Sequence, residues 1–422
     1  MLGLLGQPVS AAVFHVSPQG NDAADGGTST PLATIRAALQ KAQPGDDVAL
    51  APGVYSESVA FPRSGTQDQP IRLRAAGGGA AVLSGAGREP EHMVMLEDRS
   101  FITVEGLELT GIHNAKDASA IRIEGSGRGL RILNCRIHDI KGRDAMGITV
   151  YGTRAEPIQD LLIRGNEIYD CEPAKSEALV LNGNIDGFEV SENRIHDVNN
   201  IGIDLIGGEA WVNPNRQLTT RNGLCRGNLV YRCRANYGGG YAAGIYVDGG
   251  QNIRVEDNIV TQCDLGIEVG AENRGTVTRS VVVKGNTLFY NDKAGLVFGG
   301  YDEDAGRVED CVFEGNICTQ NDRHRRDVNA ELWIQWASGN RITGNVFIGG
   351  SEEALVMVEE GAGKNTLSGN RYYSAAGYGE AYFLWKDEDV EGFDTWQRKS
   401  GQDGDSQFGP VKIDLPQVDG TR

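Results

Sequence analysis

Three carboxylates recur at matching places in short apolar segments of this chain. Asp204 lies in Gly202-Ile-Asp-Leu-Ile-Gly207, Asp248 in Gly244-Ile-Tyr-Val-Asp-Gly249, and Glu268 in Gly266-Ile-Glu-Val-Gly-Ala271. Strand alternation sends Ile245, Val247, Ile267 and Val269 to one face and the acids to the other. With segments stacked about 4.8 Å apart and alternate residues about 6.8 Å apart, Asp248 has both other acids at a Cα separation of roughly 8 Å. Two carboxyl groups so placed can divide a hydrolysis between them: one protonates the leaving oxygen of a glycosidic bond, and the other attacks or activates water. Mutual repulsion raises the pKa of one of them and readies it as the acid. The expected roles are Asp248 as nucleophile or base, Glu268 as general acid and Asp204 as the residue that tunes them. Tyr246, between Asp204 and Glu268, is placed to orient either. A single acid on a sheet face is ordinary solvated charge. Three together, flanked by outward Tyr151, Tyr246 and Trp333, favour a site, because exposed rings are stacking platforms for sugars.

The elements that must position these acids repeat along the chain. Related segments start at Ala120, Gly147, Ala178 and Gly295. Stacked in register, they give one outward column of Arg122, Thr149, Val180, Asp204, Tyr246, Glu268, Val297 and Trp333. A second column runs Glu124, Tyr151, Asn182, Ile206, Asp248, Gly270, Gly299 and Gln335. Insertions at 208–223 and 234–243 are expected to bring Trp211, Arg216, Arg221, Tyr237 and Tyr241 to the same place, since long loops on a rigid scaffold commonly carry specificity. A basic loop at 321–327 contains His324; it either binds uronate or sulfate or pairs with its own aspartates. His138 and His196 occupy matching Arg-Ile-His-Asp turns and read as structural.

Between these segments an Asn position recurs as Asn166, Asn193, Asn228, Asn258, Asn286, Asn316, Asn345 and Asn370, with Leu107 and Cys135 in the same place earlier. Successive positions are 25 to 35 residues apart, the spacing of a solenoid. Two residues later comes an apolar column: Leu109, Ile137, Ile168, Ile195, Val230, Val260, Leu288, Cys318, Phe347 and Tyr372. Stacked Asn amides can bond from coil to coil and so satisfy polar groups at an inward turn. The predicted fold is all-β, a single right-handed parallel β-helix of about ten coils. The seven cysteines all fall in inward columns and read as small buried hydrophobes rather than metal ligands or a disulfide framework. Residues 34–43 predict a helical N-terminal cap and 390–422 a C-terminal cap on a β-helix domain spanning 13–422. Residues 1–12 read as a signal-peptide remnant or an added leader.

Fifty-eight glycines and 7% aromatic residues in 422 suit tight coils with small side chains. A net charge of −18 argues against nucleic acid and anionic membranes as partners, and no apolar stretch is long enough to span a bilayer. A secreted or periplasmic location is expected.

Phe14-His-Val-Ser-Pro-Gln-Gly-Asn-Asp22, Pro31-Leu-Ala-Thr-Ile35, Pro44-Gly-Asp46 and Gly53-Val-Tyr55 resemble the opening of bacterial β-helix carbohydrate-active proteins. That group comprises polysaccharide lyases, chain epimerases and some glycosidases. The resemblance implies a poly- or oligosaccharide partner and leaves the oligomeric state open. Gly244-Ile-Tyr-Val-Asp248 is similar to the nucleophile strand of β-helix xylosidases. Their acid lies on the next coil in the same column, where this chain has Gly270, with Glu268 two residues earlier and Glu272 two later. A glycoside hydrolase, which needs no cofactor, is the first expectation. The alternative is a lyase in which Asp204, Asp248 and Glu268 hold Ca²⁺ while Arg216, Arg221 or His324 reaches in. The Asp-Pro-His-Asp motif of the epimerases is absent, as are the Asn-Thr-Asp and Arg-Ile-Lys motifs of polygalacturonases. A non-catalytic glycan-binding or adhesion solenoid is the third class.

Overall fold

The computed structural model describes residues 11–114, 116–321 and 330–418. The leader at 1–12 falls mostly outside this range, and His324 with most of its basic loop falls wholly outside it. The described chain winds into a parallel β-helix whose coils contribute to three long sheets, of sixteen, thirteen and thirteen strands. Strands are short and β-branched, and each pairs with the strand one coil away, as in Ile203↔Ile245↔Ile267↔Leu296. The apolar column predicted from the repeat pairs step by step from Leu109 through Ile137 and Ile168 to Phe347 and Tyr372. One continuous core cluster of buried residues runs from Val16 to Trp396. All seven cysteines are free and buried.

The Asn positions form the predicted ladder. Asn228 Nδ2 donates to Val190 O at 3.0 Å and to Asn258 Oδ1 at 2.9 Å, while its own Oδ1 accepts from the backbone and side chain of Asn193 at 3.0 Å. The pattern repeats down to Asn345 and Asn370. Just before each rung the chain takes a left-handed turn, and Gly165, Gly227, Gly285 and Gly315 sit there at φ 63° to 67°. Two shorter ladders flank the main one. Five residues past it, the Cys171–Cys233–Cys263 column continues as Asn291 and Asn321 and ends on buried Glu331. Five residues before it, Cys311 leads to Asn340 and Asn365.

Both ends are closed. The helix Ile35–Lys41 buries Ile35, Ala38 and Leu39 over the first coil, with Thr34 Oγ1 accepting from Ala37 N at 3.1 Å. At the other end the helix Phe393–Ser400 buries Phe393 and Trp396. Asp403 then accepts from Asn370 Nδ2, the Tyr372 hydroxyl and Trp396 Nε1, so one buried carboxylate ends the ladder and anchors the cap.

A rung carries more than its share of stability because removing it strands buried partners in the coils on either side. Asn228→Ala is expected to cost about 1–3 kcal/mol in urea unfolding, whereas Gln40→Ala, at an exposed position of the N-terminal helix, should stay within about 0.5 kcal/mol. Equal effects would remove the ladder from this account.

Candidate active site

The outward columns form as the alternation requires. Val180 pairs with Asp204, Asp204 with Tyr246, Tyr246 with Glu268, and Asp248 with Gly270. Ile245, Val247, Ile267 and Val269 all point into the core. The acids do not lie on an open surface, however: Asp204 is only 2% exposed and Asp248 4%. They form the floor of a cavity of about 560 Å³ whose walls are loops.

One wall leaves the sheet at Gly207–Gly208. Val212 packs onto Met146, Tyr151, Val180 and Ile206, and Asn213 Nδ2 donates to Gly152 O at 2.9 Å. Arg216 braces the same loop against a later coil, donating to Gly208 O at 2.7 Å and Arg274 O at 2.9 Å. The opposite wall is the 234–242 segment. Asp264 holds it by accepting from Ala235 N and Ala242 N at 2.8 and 3.0 Å, and an Arg234–Asp292 ion pair helps. This wall brings Tyr237 and Tyr241 to the cavity.

Of the residues singled out from sequence, Asp204, Asp248, Glu272, Tyr151, Asn182 and Trp211 line this cavity together. Trp211 is 68% exposed and meets Tyr151 edge-on at 5.3 Å. The others lie elsewhere. Glu268, one column over, is not in the lining, and Tyr246 is buried beside it, packed on Val297. Trp333 packs further along the same column and donates to Glu359 at 2.8 Å. Arg221 starts the strand Arg221–Arg226 on another sheet and pairs with Asp186. Arg216 is spent on backbone carbonyls and Thr276. Gly270 has a steric reason: a Cβ there would come within 2.6 Å of the Tyr246 hydroxyl.

Glu177 and Glu209 also line the cavity and were not anticipated. Glu177 stands two residues before Leu179, as Met146 does before Ile148 and Ser119 before Ile121. That third outward column was readable, but the small residue at Ala120, Gly147 and Ala178 interrupts the alternation and hides it. Glu209 comes from a loop without periodicity.

Crowding sets the protonation of these groups. Burial pushes the Asp204 carboxyl well above its ordinary range, and the charges of Glu177, Asp248, Glu272 and Glu268 add to this. Asp248 is raised by burial and then by Glu272, but Glu272 N donates to its Oδ1 at 2.7 Å, which favours its ionised form. Asp204 Oδ1 and Asn182 Oδ1 are buried with no hydrogen-bond partner among the described residues. Glu177 and Glu268, both half-buried, are lifted to about 8 by burial first and neighbouring acids second. Glu272 is exposed as a whole residue, yet enclosure of its carboxyl and the charge of Glu209 still raise it. Lys175, on the rim 5.8 Å from the Tyr237 ring, is the one cationic side chain among the described lining residues. Among the described residues, no three His, Cys, Asp or Glu side chains are grouped to hold a metal ion.

Comparison with known proteins follows the same outline. Residues 14–215 match the family described as "Pel9A-like, right handed beta helix region" and residues 208–388 the family "Periplasmic copper-binding protein (NosD)". The chain is 32% identical over 417 residues to the uncharacterized protein YwoF of Bacillus subtilis, an alignment covering 94% of this chain and 88% of YwoF. In fold it is similar to the GH136 lacto-N-biosidase of Eubacterium ramulus, with a TM-score of 0.53 and 15% identity, covering 95% of this chain and 68% of that one. It is also similar to the mannuronan C-5 epimerase AlgE6 A-module of Azotobacter vinelandii, with a TM-score of 0.52 and 16% identity over 88% and 92% of the two chains. The described residues contain no helix long and apolar enough to cross a membrane.

The raised acids fix a sign for stability against pH. Glu177 and Glu268 move from 4.5 to about 8, so the folded chain holds protons that the unfolded chain has released. Their contribution is complete below about pH 4.5 and is lost as the pH rises towards about 8. Tm is expected to fall across that window and Glu268→Gln to make the fall shallower. A Tm that climbs from acid to neutral pH in wild type and variant alike would contradict the assignment.

Proposed function

This chain belongs to the same family as Bacillus subtilis YwoF, right-handed β-helix proteins, and for it we propose the hydrolysis of glycosidic bonds in a poly- or oligosaccharide held in the walled cavity. The observation that carries the proposal is the contrast between Asp204 and Asp248. Both are buried on adjacent coils of one cavity floor, but among the described residues only Asp248 receives a backbone N–H. The carboxyl without a donor keeps its proton, and the one with a donor gives it up first. Asp204 is therefore assigned as general acid and Asp248 as the carboxylate that attacks the anomeric carbon or activates water. Glu272 and Glu177 supply the surrounding field. The acid role moves from Glu268 to Asp204 because Glu268 lies outside the cavity lining.

In the reaction the C1–O bond breaks, the leaving oxygen takes the Asp204 proton, and water adds to C1 directly or after a glycosyl–Asp248 intermediate. Water returns one proton to the carboxyl pair, which restores the starting state. The rings of Tyr151, Trp211, Tyr237 and Tyr241 are suited to stack on the sugars. A secreted or periplasmic setting agrees with such a substrate.

A uronate lyase is the second reading, favoured by the match to the Pel9A-like family over 14–215. It requires a cation to meet the uronate carboxylate and a neutral base at C5. The cavity offers carboxylates and one rim lysine, and no acidic group is arranged for Ca²⁺ among the described residues, so no lyase step is assigned.

Asp204→Asn and Asp248→Asn should each lower kcat on a natural glycoside by about 10²–10⁴-fold. On an aryl glycoside whose leaving group needs no proton, Asp204→Asn should recover to within about tenfold of wild type, whereas Asp248→Asn should not. Products that absorb in the ultraviolet through a new C4–C5 double bond, lost on chelation, would replace hydrolysis by elimination.

A further inference from the structure

We infer that the cavity is built for amino sugars, glycans that carry free, protonated amino groups; this deepens the proposed function and rests on its placing of the glycan in this cavity. Glu177, Asp204, Glu209, Asp248 and Glu272 converge there, and among the described residues none of them forms an ion pair. Elsewhere several acids of the chain are paired. Asp160 pairs with Arg131, Asp197 with Arg232, Asp98 with Arg154 and Asp292 with Arg234. Even at the edge of the same cavity, Asp117 is taken by Arg122. Buried Glu331 and Asp403 also lack an ion pair among the described residues, but each is held by neutral donors, Glu331 by Asn321 and Asp403 by Asn370, Tyr372 and Trp396, whereas in the cavity five acids share one space.

A second observation is independent of charge. Asn182, 1% exposed, lines the cavity with its Oδ1 buried and unpartnered, and so does Asp204 with one of its carboxyl oxygens. A buried acceptor without a donor costs stability until a ligand supplies one. An ammonium group offers three donors and no acceptor, so it answers both the orphan oxygens and the field. A sugar hydroxyl brings one donor, lone pairs of its own and no charge. A uronate is repelled. A divalent ion needs six to eight oxygens closing to about 2.3–2.6 Å, and no such grouping is present among the described residues. Acids spread over a cavity of about 560 Å³ suit a ring with a pendant ammonium better than a bare ion. Tyr151, Trp211 and Tyr237 around it can take both the sugar face and the cation. Binding such a group would also offset the repulsion between Asp248 and Glu272.

The test titrates the full chain by calorimetry with saccharides matched in ring and linkage and differing at one position. The probes are glucosamine and galactosamine oligomers, their N-acetylated forms, and glucose and galactose oligomers. The amine member of a pair is expected to bind at least about tenfold tighter, and Glu177→Gln and Glu209→Gln each to shrink that preference several-fold. Equal or tighter binding of the acetylated or hydroxyl member, no binding by any amine at millimolar concentration, or a preference untouched by both variants would overturn the inference. Release of reducing ends is read separately. Amine-selective binding with no cleavage of any probe would remove the hydrolase reading and leave the sugar class standing, whereas cleavage of neutral oligomers without amine preference would do the reverse.

Discussion

A parallel coil must turn inward at each corner, and every such turn leaves backbone amides that no water can reach. The Asn ladder answers this constraint along the axis of the solenoid: each side chain serves the coil before it and is served by the coil after it. Because every rung is locked to the next, the register between coils is fixed to the residue. The facing columns follow from that lock. A slip of one position would turn Asp204 and Asp248 into the core and Leu205 and Val247 out to the loops.

The site is then a controlled exception to the rules that hold the scaffold together. Along the Asn ladder each side-chain amide is paired with its neighbours, and the seven cysteines are packed away. At the cavity floor Asp204 keeps an oxygen without a partner, and several acids share one space. Such frustration is tolerable because it occupies a few residues resting on a long stack of paired Asn rungs. Loops pinned to different coils, by Asn213 to Gly152 and by Arg216 to Arg274, keep the walls standing over it. The walled cavity and the ladder that sets the coil register thus lie in separate parts of the molecule.

Much of this was legible in the sequence, since a solenoid writes its geometry as periodicity. The ladder, the inward cysteines, both caps and the two outward columns could be read from spacing alone. The site was legible only as far as the alternation holds. Glu177 was hidden by the small residue that breaks the period at each corner. The loop arginines looked available because sequence does not reveal that Arg216 is consumed by carbonyls, or that Arg221 begins a strand on another sheet. Burial of the acids was equally invisible, because it depends on where the 208–223 insertion folds back. The meaning of Gly270 emerged only with the Tyr246 hydroxyl beside it.

The buried cysteines carry a chemical consequence. Burial pushes the thiols of Cys135, Cys171 and Cys225 up to about 12. Virtually none of their sulfur is then thiolate at neutral pH, so oxidants, alkylating agents and soft metals find no nucleophile to meet. While the solenoid stays wound, burial and protonation together shield these three thiols from such reagents.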